Sequence, residues 1–312
     1  MSESSKIVVL AGGIGAAKLI NGLIVVLPEE NFQIIVNTGD DIELFGLKIC
    51  PDLDIITYNI AGIVDKNKGW GFENDNFNCL NILKKYYDFN WFNIGDKDAA
   101  THIFRTDLMN KGISKSEATK TICNKLGVKC EIIPMTDTWV ETHIITPRGD
   151  IHFEEYFIKY NTNILVKDVI FNGIDKAEPV KGVLKKIEKA KKIIICPSNP
   201  IVSIKPILEV KGIRDTLKKV KNKVIGVCPL IKGAPVKGPT DKLMKALNLE
   251  VSAFGVAKYY ADFLGHFIID KQDKKIKPQI EKLGIKTYTY DTLMKNLQKK
   301  VALAKYIINL NI

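Results

Sequence analysis

The chain has 312 residues, of which 46% are apolar and 26% charged; that mix buries a sizeable core and excludes disorder as the main state. Its 46 basic and 35 acidic side chains leave a net charge of +11, which suits a polyanionic partner or, equally, a solvated Lys-rich surface. The six cysteines form no CxxC pair, which argues against a zinc site or a disulfide framework, and no apolar run reaches about 18–20 residues, the length of a membrane span. Met1-Ser-Glu-Ser-Ser lacks the basic stretch of a signal peptide, so a cytoplasmic location is expected.

Lys6–Leu10 (KIVVL) is a short β-branched run bounded by glycine, as in a buried parallel strand. A helix over Ala16–Leu27 and a strand over Phe32–Val36 complete a βαβ unit, which makes the sheet parallel. Ile55–Tyr58 is a short apolar segment; Phe77–Tyr87 and Asp98–Asn110 read as helices. Ser114–Leu126 begins with Ser114 and has Glu117 three residues on, a capping-box pattern. Lys129–Pro134, Trp139–Thr146 and Ile151–Tyr160 then alternate polar and apolar residues, the last two joined by a Pro147-Arg148-Gly149-Asp150 turn.

The α/β rhythm resumes with a helix over Lys181–Ala190, a strand over Lys192–Cys196, a helix over Lys211–Val220 and a strand over Lys223–Cys228. Asp241–Leu247 and Ala257–Leu264 read as helical; Phe267–Asp270, Ile285–Tyr290 and a helix over Tyr290–Ile308 close the chain. The predicted architecture is a Rossmann-like, doubly wound, mostly parallel α/β sheet built from residues 1–110 and 166–312, with a smaller β-rich and helical insertion over residues 111–165.

Gly12, Gly13 and Gly15 follow the first strand and open the first helix. Glycines there let the backbone approach a phosphate, the helix N-terminus adds free N–H donors, and Lys18 adds a point charge if it folds back. Ala17 and Leu19 break a Walker A loop, and Lys18 stands where a dinucleotide fingerprint needs its third glycine. A tight turn without a ligand explains the same residues. Asp40 and Asp41 end the second strand, where ligands of doubly wound sheets bind, and Asp54 follows a Pro51-Asp52-Leu53 turn. Carboxylates so placed suit Mg²⁺, or the orientation and deprotonation of a hydroxyl, or a plain capping role. Asp96 or Asp98 is placed to cap the next helix, which carries His102 and Arg105 on one face. Pro197-Ser198-Asn199-Pro200, with Ser203, offers a nucleotide hydroxyl and amide groups, or forms an Asx/Pro turn.

Taken in order, Gly12-Gly13-x-Gly15-x-x-Lys18-Leu19, Asn37-Thr38-Gly39-Asp40-Asp41, Cys50-Pro51-Asp52-Leu53-Asp54 with Thr57-Tyr58, Gly69-Trp70-Gly71, Gly95-Asp96-x-Asp98 with Thr101-His102 and Arg105, and Pro197-Ser198-Asn199-Pro200 with Ser203 resemble the 2-phospho-L-lactate transferases (CofD) of coenzyme F420 biosynthesis. The YvcK-like nucleotide-sugar-binding regulators, a sister group without enzymatic activity, carry an Asp-Asp-Gly-Gly-Ser-Ser type loop where this chain has Asp40-Asp41-Ile42-Glu43-Leu44. They are the alternative reading, and that departure favours the transferase.

The resemblance implies a reaction. A guanosine diphospho donor carries a lactyl or enolpyruvyl group, the ribityl hydroxyl of the deazaflavin FO attacks the phosphorus bearing it, GMP leaves, and Mg²⁺ is required. It implies that Gly12, Gly13 and Gly15 cradle the diphosphate, with Lys18 beside them. Asp40, Asp41 and Asp54 would hold Mg²⁺ or position the hydroxyl; Ser198, Asn199 and Ser203 would bind the guanosine nucleotide, and Asn93 would contact FO. Ile14 and Ala16 depart from the family's commoner Thr and Gly, a change that backbone binding tolerates. Trp70 and Trp91 are candidates for an aromatic wall against the deazaflavin, or for core packing. A methanogen-type archaeal homodimer is expected, with no nucleic-acid or membrane partner. A nucleic-acid binder would rest on charge alone, without base-stacking aromatics in a basic patch.

Overall fold

The computed structural model describes residues 6–89 and 91–312; Met1-Ser-Glu-Ser-Ser, read above for its lack of a leader, lies outside them. In chain order, strand β1 (Ile7–Ala11), helix α1 (Gly13–Val26) and strand β2 (Phe32–Val36) are followed by a hairpin, β3 (Ile42–Leu44) and β4 (Leu47–Ile49). Four helices come next: α2 (Pro51–Ile60), α3 (Asn78–Tyr86), α4 (Asp96–Asn110) and α5 (Lys115–Lys125). They lead to β5 (Glu131–Pro134), β6 (Glu141–Thr146), β7 (Gly149–His152) and β8 (Asp168–Asn172). The second half runs α6 (Val183–Lys189), β9 (Lys192–Ile195), α7 (Lys205–Glu209), α8 (Ile213–Lys219), β10 (Val224–Val227), β11 (Leu230–Ile231), β12 (Ala234–Pro235), α9 (Thr240–Ala246), α10 (Ala253–Tyr259), β13 (His266–Asp270), α11 (Lys277–Glu281), β14 (Lys286–Tyr290) and α12 (Leu297–Asn309).

The main sheet has seven strands in the order β14-β13-β10-β9-β1-β2-β5, and every neighbouring pair is parallel. Successive side chains of a strand point to opposite faces, so each strand of a sheet covered on both sides must be apolar throughout. Val8 and Leu10 accordingly join a core with Val183 and Ile187 of α6, Ile213 and Leu217 of α8, and Ile144 and Val169 of the small antiparallel sheet. Val9 and Ala11 join another with Leu19, Ile20 and Leu23 of α1, Leu53 and Ile56 of α2, and Leu303 and Ile307 of α12. Starting from β1, the chain builds outward through β2 to β5, then returns to β9 on the other flank of β1 and builds the opposite way. The loops after β1 and β9 therefore part at a switch point, where doubly wound sheets open a crevice.

Lys129–Pro134, assigned to the insertion from its alternation, supplies β5, the edge strand of the main sheet. The antiparallel sheet, order β7-β6-β8, takes its third strand from Asp168–Asn172, beyond residue 165. Ile55–Tyr58 lies inside α2, with Pro51 at its first turn. The helix read at Ala257–Leu264 begins earlier, where the Ser252 hydroxyl accepts a hydrogen bond from Gly255 N–H. The last helix starts only at Leu297, capped by the Asn296 side chain on Lys299 N–H, because Lys286–Tyr290 is held in the sheet. Ser114 caps α5 as expected, accepting from Glu117 N–H at 3.3 Å. No helix among the described residues is long and apolar enough to cross a membrane.

Helices α1 and α12 come close at Gly22, where a Cβ would stand 2.3 Å from the Lys300 carbonyl oxygen. Gly22→Ala should therefore push α12 away and cost about 1–3 kcal/mol, read as a lowered denaturation midpoint; an unchanged midpoint would show that the contact relaxes freely.

Candidate active site

At the switch point the loops after β1 and β9 lie against each other. A Cβ on Gly15 would stand 2.4 Å from the Pro197 carbonyl oxygen, and one on Gly12 would stand 2.8 Å from both Ser203 Cβ and Asp52 Oδ2. Gly13 has φ +71°, a conformation that costs most side chains about 1–2 kcal/mol. Gly12 N–H reaches the Ser198 hydroxyl at 3.4 Å, and Gly13 N–H donates to Asp52 Oδ1 at 2.7 Å. The Asn37 amide donates to Asp52 Oδ2 at 2.9 Å and to the Val202 carbonyl at 3.2 Å. Asn199 Oδ1 accepts from Ile201 N–H and Val202 N–H at 2.9 and 3.4 Å, which fixes the turn after β9.

These loops enclose a cavity of about 260 Å³. Gly12, Gly13, Gly15, Lys18, Asp40, Ser198, Asn199 and Ser203, all singled out from the sequence, line it. So do Asp52 and Glu154, to which the sequence reading gave no role. All three acids are buried, and Asp40 Oδ1 has no hydrogen-bond partner among the described residues. Burial pushes the Asp40 carboxyl well above its ordinary range, and the neighbouring carboxylates of Asp52, Glu154 and Asp41 push it further. Burial also raises Asp52 to about 6, against the opposing hydrogen bonds from Asn37 and Gly13, and raises Glu154 to about 8, with Asp52 adding to the shift.

Asp41 and Asp54 are not among the residues that line this cavity. Asp41 is ion-paired with fully buried Lys115 at 2.5 Å. Asp54 is ion-paired with both terminal nitrogens of buried Arg105, Nη1 at 3.0 Å. His102 bridges the same group, with Nδ1 3.5 Å from Asp54 and Nε2 3.5 Å from Asp98, which accepts from the Tyr58 hydroxyl at 2.8 Å. One oxygen each of Asp54 and Asp98 and one nitrogen of His102 lie close enough to suggest a metal, but Arg105 already neutralises Asp54. The network locks α4 onto α2. The geometry has a simple cause: residues two apart on a helix point about 200° apart, so Asp52 and Asp54 of α2 face opposite ways. A helix beginning at Pro51 was the signal in the sequence that would have singled out Asp52.

Asn93 is exposed and, like Trp70 and Trp91, is absent from the lining. Trp91 packs on Phe89 and Phe92 with ring centroids at 5.2 and 5.7 Å. The aromatic lining comes instead from Phe153 and Phe157, stacked at 5.7 Å on the segment after β7. Helix α4 is capped by neither Asp96 nor Asp98. Asp75 accepts from Lys97 N–H and Asp98 N–H at 2.8 and 3.1 Å, while Asp96 serves Cys79 N–H in the first turn of α3.

Residues 7–307 match the family model described as 2-phospho-L-lactate transferase CofD. The chain is 39% identical to the 2-phospho-L-lactate transferase of Methanosarcina acetivorans, covering 97% of this chain and 98% of that one. This chain belongs to the CofD family. It is an enzyme, a transferase whose family moves a phospholactyl group in coenzyme F420 biosynthesis, and the reading as a non-enzymatic regulator is set aside. The phosphoenolpyruvate transferase of Streptomyces griseus is nearly as similar, 37% identical over 98% of both chains, so the likeness does not single out an archaeal type. The CofD-family fold is shared with protein BH3568 of Bacillus halodurans, with a TM-score of 0.64 at 14% identity over 98% of this chain and 99% of that one.

Two outcomes follow from the charges. Arg105→Met leaves the Asp54 carboxylate buried without its partner and should cost about 3–5 kcal/mol in denaturant unfolding, with Asp54→Asn added to it restoring part of the loss. Glu154 and Asp52 hold protons in the folded chain that they release when unfolded. Stability should therefore fall as pH rises from the ordinary carboxylate range, about 4, through about 6 and on to about 8. Thermal midpoints between pH 5 and 8.5 read this, and Glu154→Gln should flatten the upper part of the fall.

Proposed function

We propose that this CofD-family enzyme transfers a phospholactyl or phosphoenolpyruvyl group from a guanosine diphospho donor to the ribityl hydroxyl of FO, with Mg²⁺, in the cavity between the loops after β1 and β9. The observation that supports it best is the convergence, on one cavity at the switch point, of a glycine loop, the Ser198-Asn199 turn and the buried acids Asp40 and Asp52. Relatives named for phospholactate and for phosphoenolpyruvate match almost equally well, so both donors belong in the proposal.

The hydroxyl oxygen attacks the phosphorus that bears the three-carbon acid. The new P–O bond forms as the bond to the GMP oxygen breaks, and GMP leaves with that electron pair. The hydroxyl proton passes to a carboxylate of the cavity. Such transfers depend on positioning and on offsetting charge at the phosphoryl group. Asp40 and Asp52 fit a hard cation: they are buried oxygen donors, the Asp52 charge acts on Asp40, and one Asp40 oxygen lacks a partner among the described residues. They would hold Mg²⁺, which when bound neutralises diphosphate charge. Ser198 and Asn199 would meet the nucleotide, and the Phe153 and Phe157 rings offer an apolar face to the deazaflavin.

Incubation with FO, Mg²⁺ and each donor should release GMP and form the glutamate-free F420 precursor. Asp40→Asn and Asp52→Asn should each lower turnover by about 100-fold or more. Absence of GMP release with both donors, or full activity of both variants, would overturn the proposal.

A further inference from the structure

The glycine loop is less free to bind an anion than its sequence suggests. Gly13 N–H is already taken by Asp52, whose carboxylate also lies against Gly12 and would repel an anion at this loop. A diphosphate placed here needs positive charge from elsewhere.

That charge lines the same cavity. Lys18 projects from the second turn of α1, Lys237 from the segment between β12 and α9, and Lys295 from the turn before α12. Lys300, on α12, stands near Lys18: burial lowers the pKa of both Lys237 and Lys300, and the Lys18 charge lowers each further. No ion pair or side-chain hydrogen bond engages these four ammonium groups among the described residues. Their neighbour Lys299, by contrast, is paired with Asp291 at 2.7 Å. Cations gathered from three parts of the chain without a counter-ion repel one another, a cost that a bound polyanion removes.

Lys237 rides on a strap with a fixed base. The two-stranded hairpin β11–β12 turns through Lys232 at φ +53° and Gly233 at φ +70°. Lys232 N–H is held by both oxygens of buried Asp273, at 3.2 and 3.0 Å. From there Val236–Pro239 run along the cavity, with Gly238 at φ +79°.

We propose that Lys237 on this strap, with Lys18 and Lys295 and with Lys300 behind them, is a clamp for the diphosphate of a bound nucleotide. The clamp supplies the charge that the glycine loop, occupied by Asp52, does not. It rests on the transferase reading only for the guanosine, since inorganic pyrophosphate carries the same charged group.

Calorimetry of the full chain with GDP and with inorganic pyrophosphate tests it, using Lys237→Gln and, as a charge-matched control on α12, Lys299→Gln. Lys237→Gln should weaken GDP, and pyrophosphate wherever it binds, by about tenfold. Lys299→Gln should leave both unchanged. If the unaltered chain binds GDP and Lys237→Gln binds it equally well, the clamp is overturned and the transferase reading stands. Equal weakening by both variants also overturns the clamp, as diffuse attraction to a basic surface. If the unaltered chain binds neither GDP nor pyrophosphate, the clamp and the guanosine donor fall together.

Discussion

The site depends on one steric constraint, the contact of position 15 with the Pro197 carbonyl. The loops after β1 and β9 share a single cavity because nothing stands between Gly15 and that oxygen, where a Cβ would be only 2.4 Å away. Gly12 repeats the constraint against Ser203 and Asp52. These glycines are therefore required by packing between adjacent parallel strands before any ligand is considered. The crevice follows from the reversal of strand order at β1, and the close approach of its two loops makes it a pocket.

Charge then gives the pocket its character. Asp40, Asp52 and Glu154 share one cavity, where burial raises all three and the Asp52 charge raises Asp40 and Glu154 further, while Lys18, Lys237 and Lys295 line it with no ion pair among the described residues. Either set alone is electrostatically costly. Together they suit a ligand with an anionic diphosphate, a cation and a hydroxyl, as phosphoryl transfer requires. The charges that are paired within the fold, Asp41 with Lys115 and Asp54 with Arg105, lie in the surrounding structure and hold α5 and α4 in place.

Much of this was legible in the chain. The apolar run of β1, the glycine loop and the polar turn after β9 identify a parallel sheet with two polar loops at the ends of its strands, because a buried strand and a tight strand-to-helix turn each leave a local pattern. Lys129–Pro134 begins with a polar-apolar alternation, Lys129-Cys130-Glu131, although the strand it forms is the edge of the main sheet, exposed at Glu131 and buried from Ile132 to Pro134. Asp52 and Asp54 stand two apart in one motif, which does not record which of them faces the crevice; with α2 beginning at Pro51, helical geometry turns the two carboxylates apart.

The sequence by itself determined the α/β class, the order of the loops that meet at the site, the family, and most of the residues at its glycine and serine walls. Those features rest on local periodicity and on motifs contiguous in the chain. Only the tertiary structure decided which carboxylates are free. A carboxylate has the same local pattern whether its partner is Arg105, Lys115 or no residue at all, and those partners come from 51 and 74 residues away. Glu154 and Lys237 reach the cavity from the segment after β7 and from the β11–β12 strap by the same long-range packing, which no spacing in the sequence records.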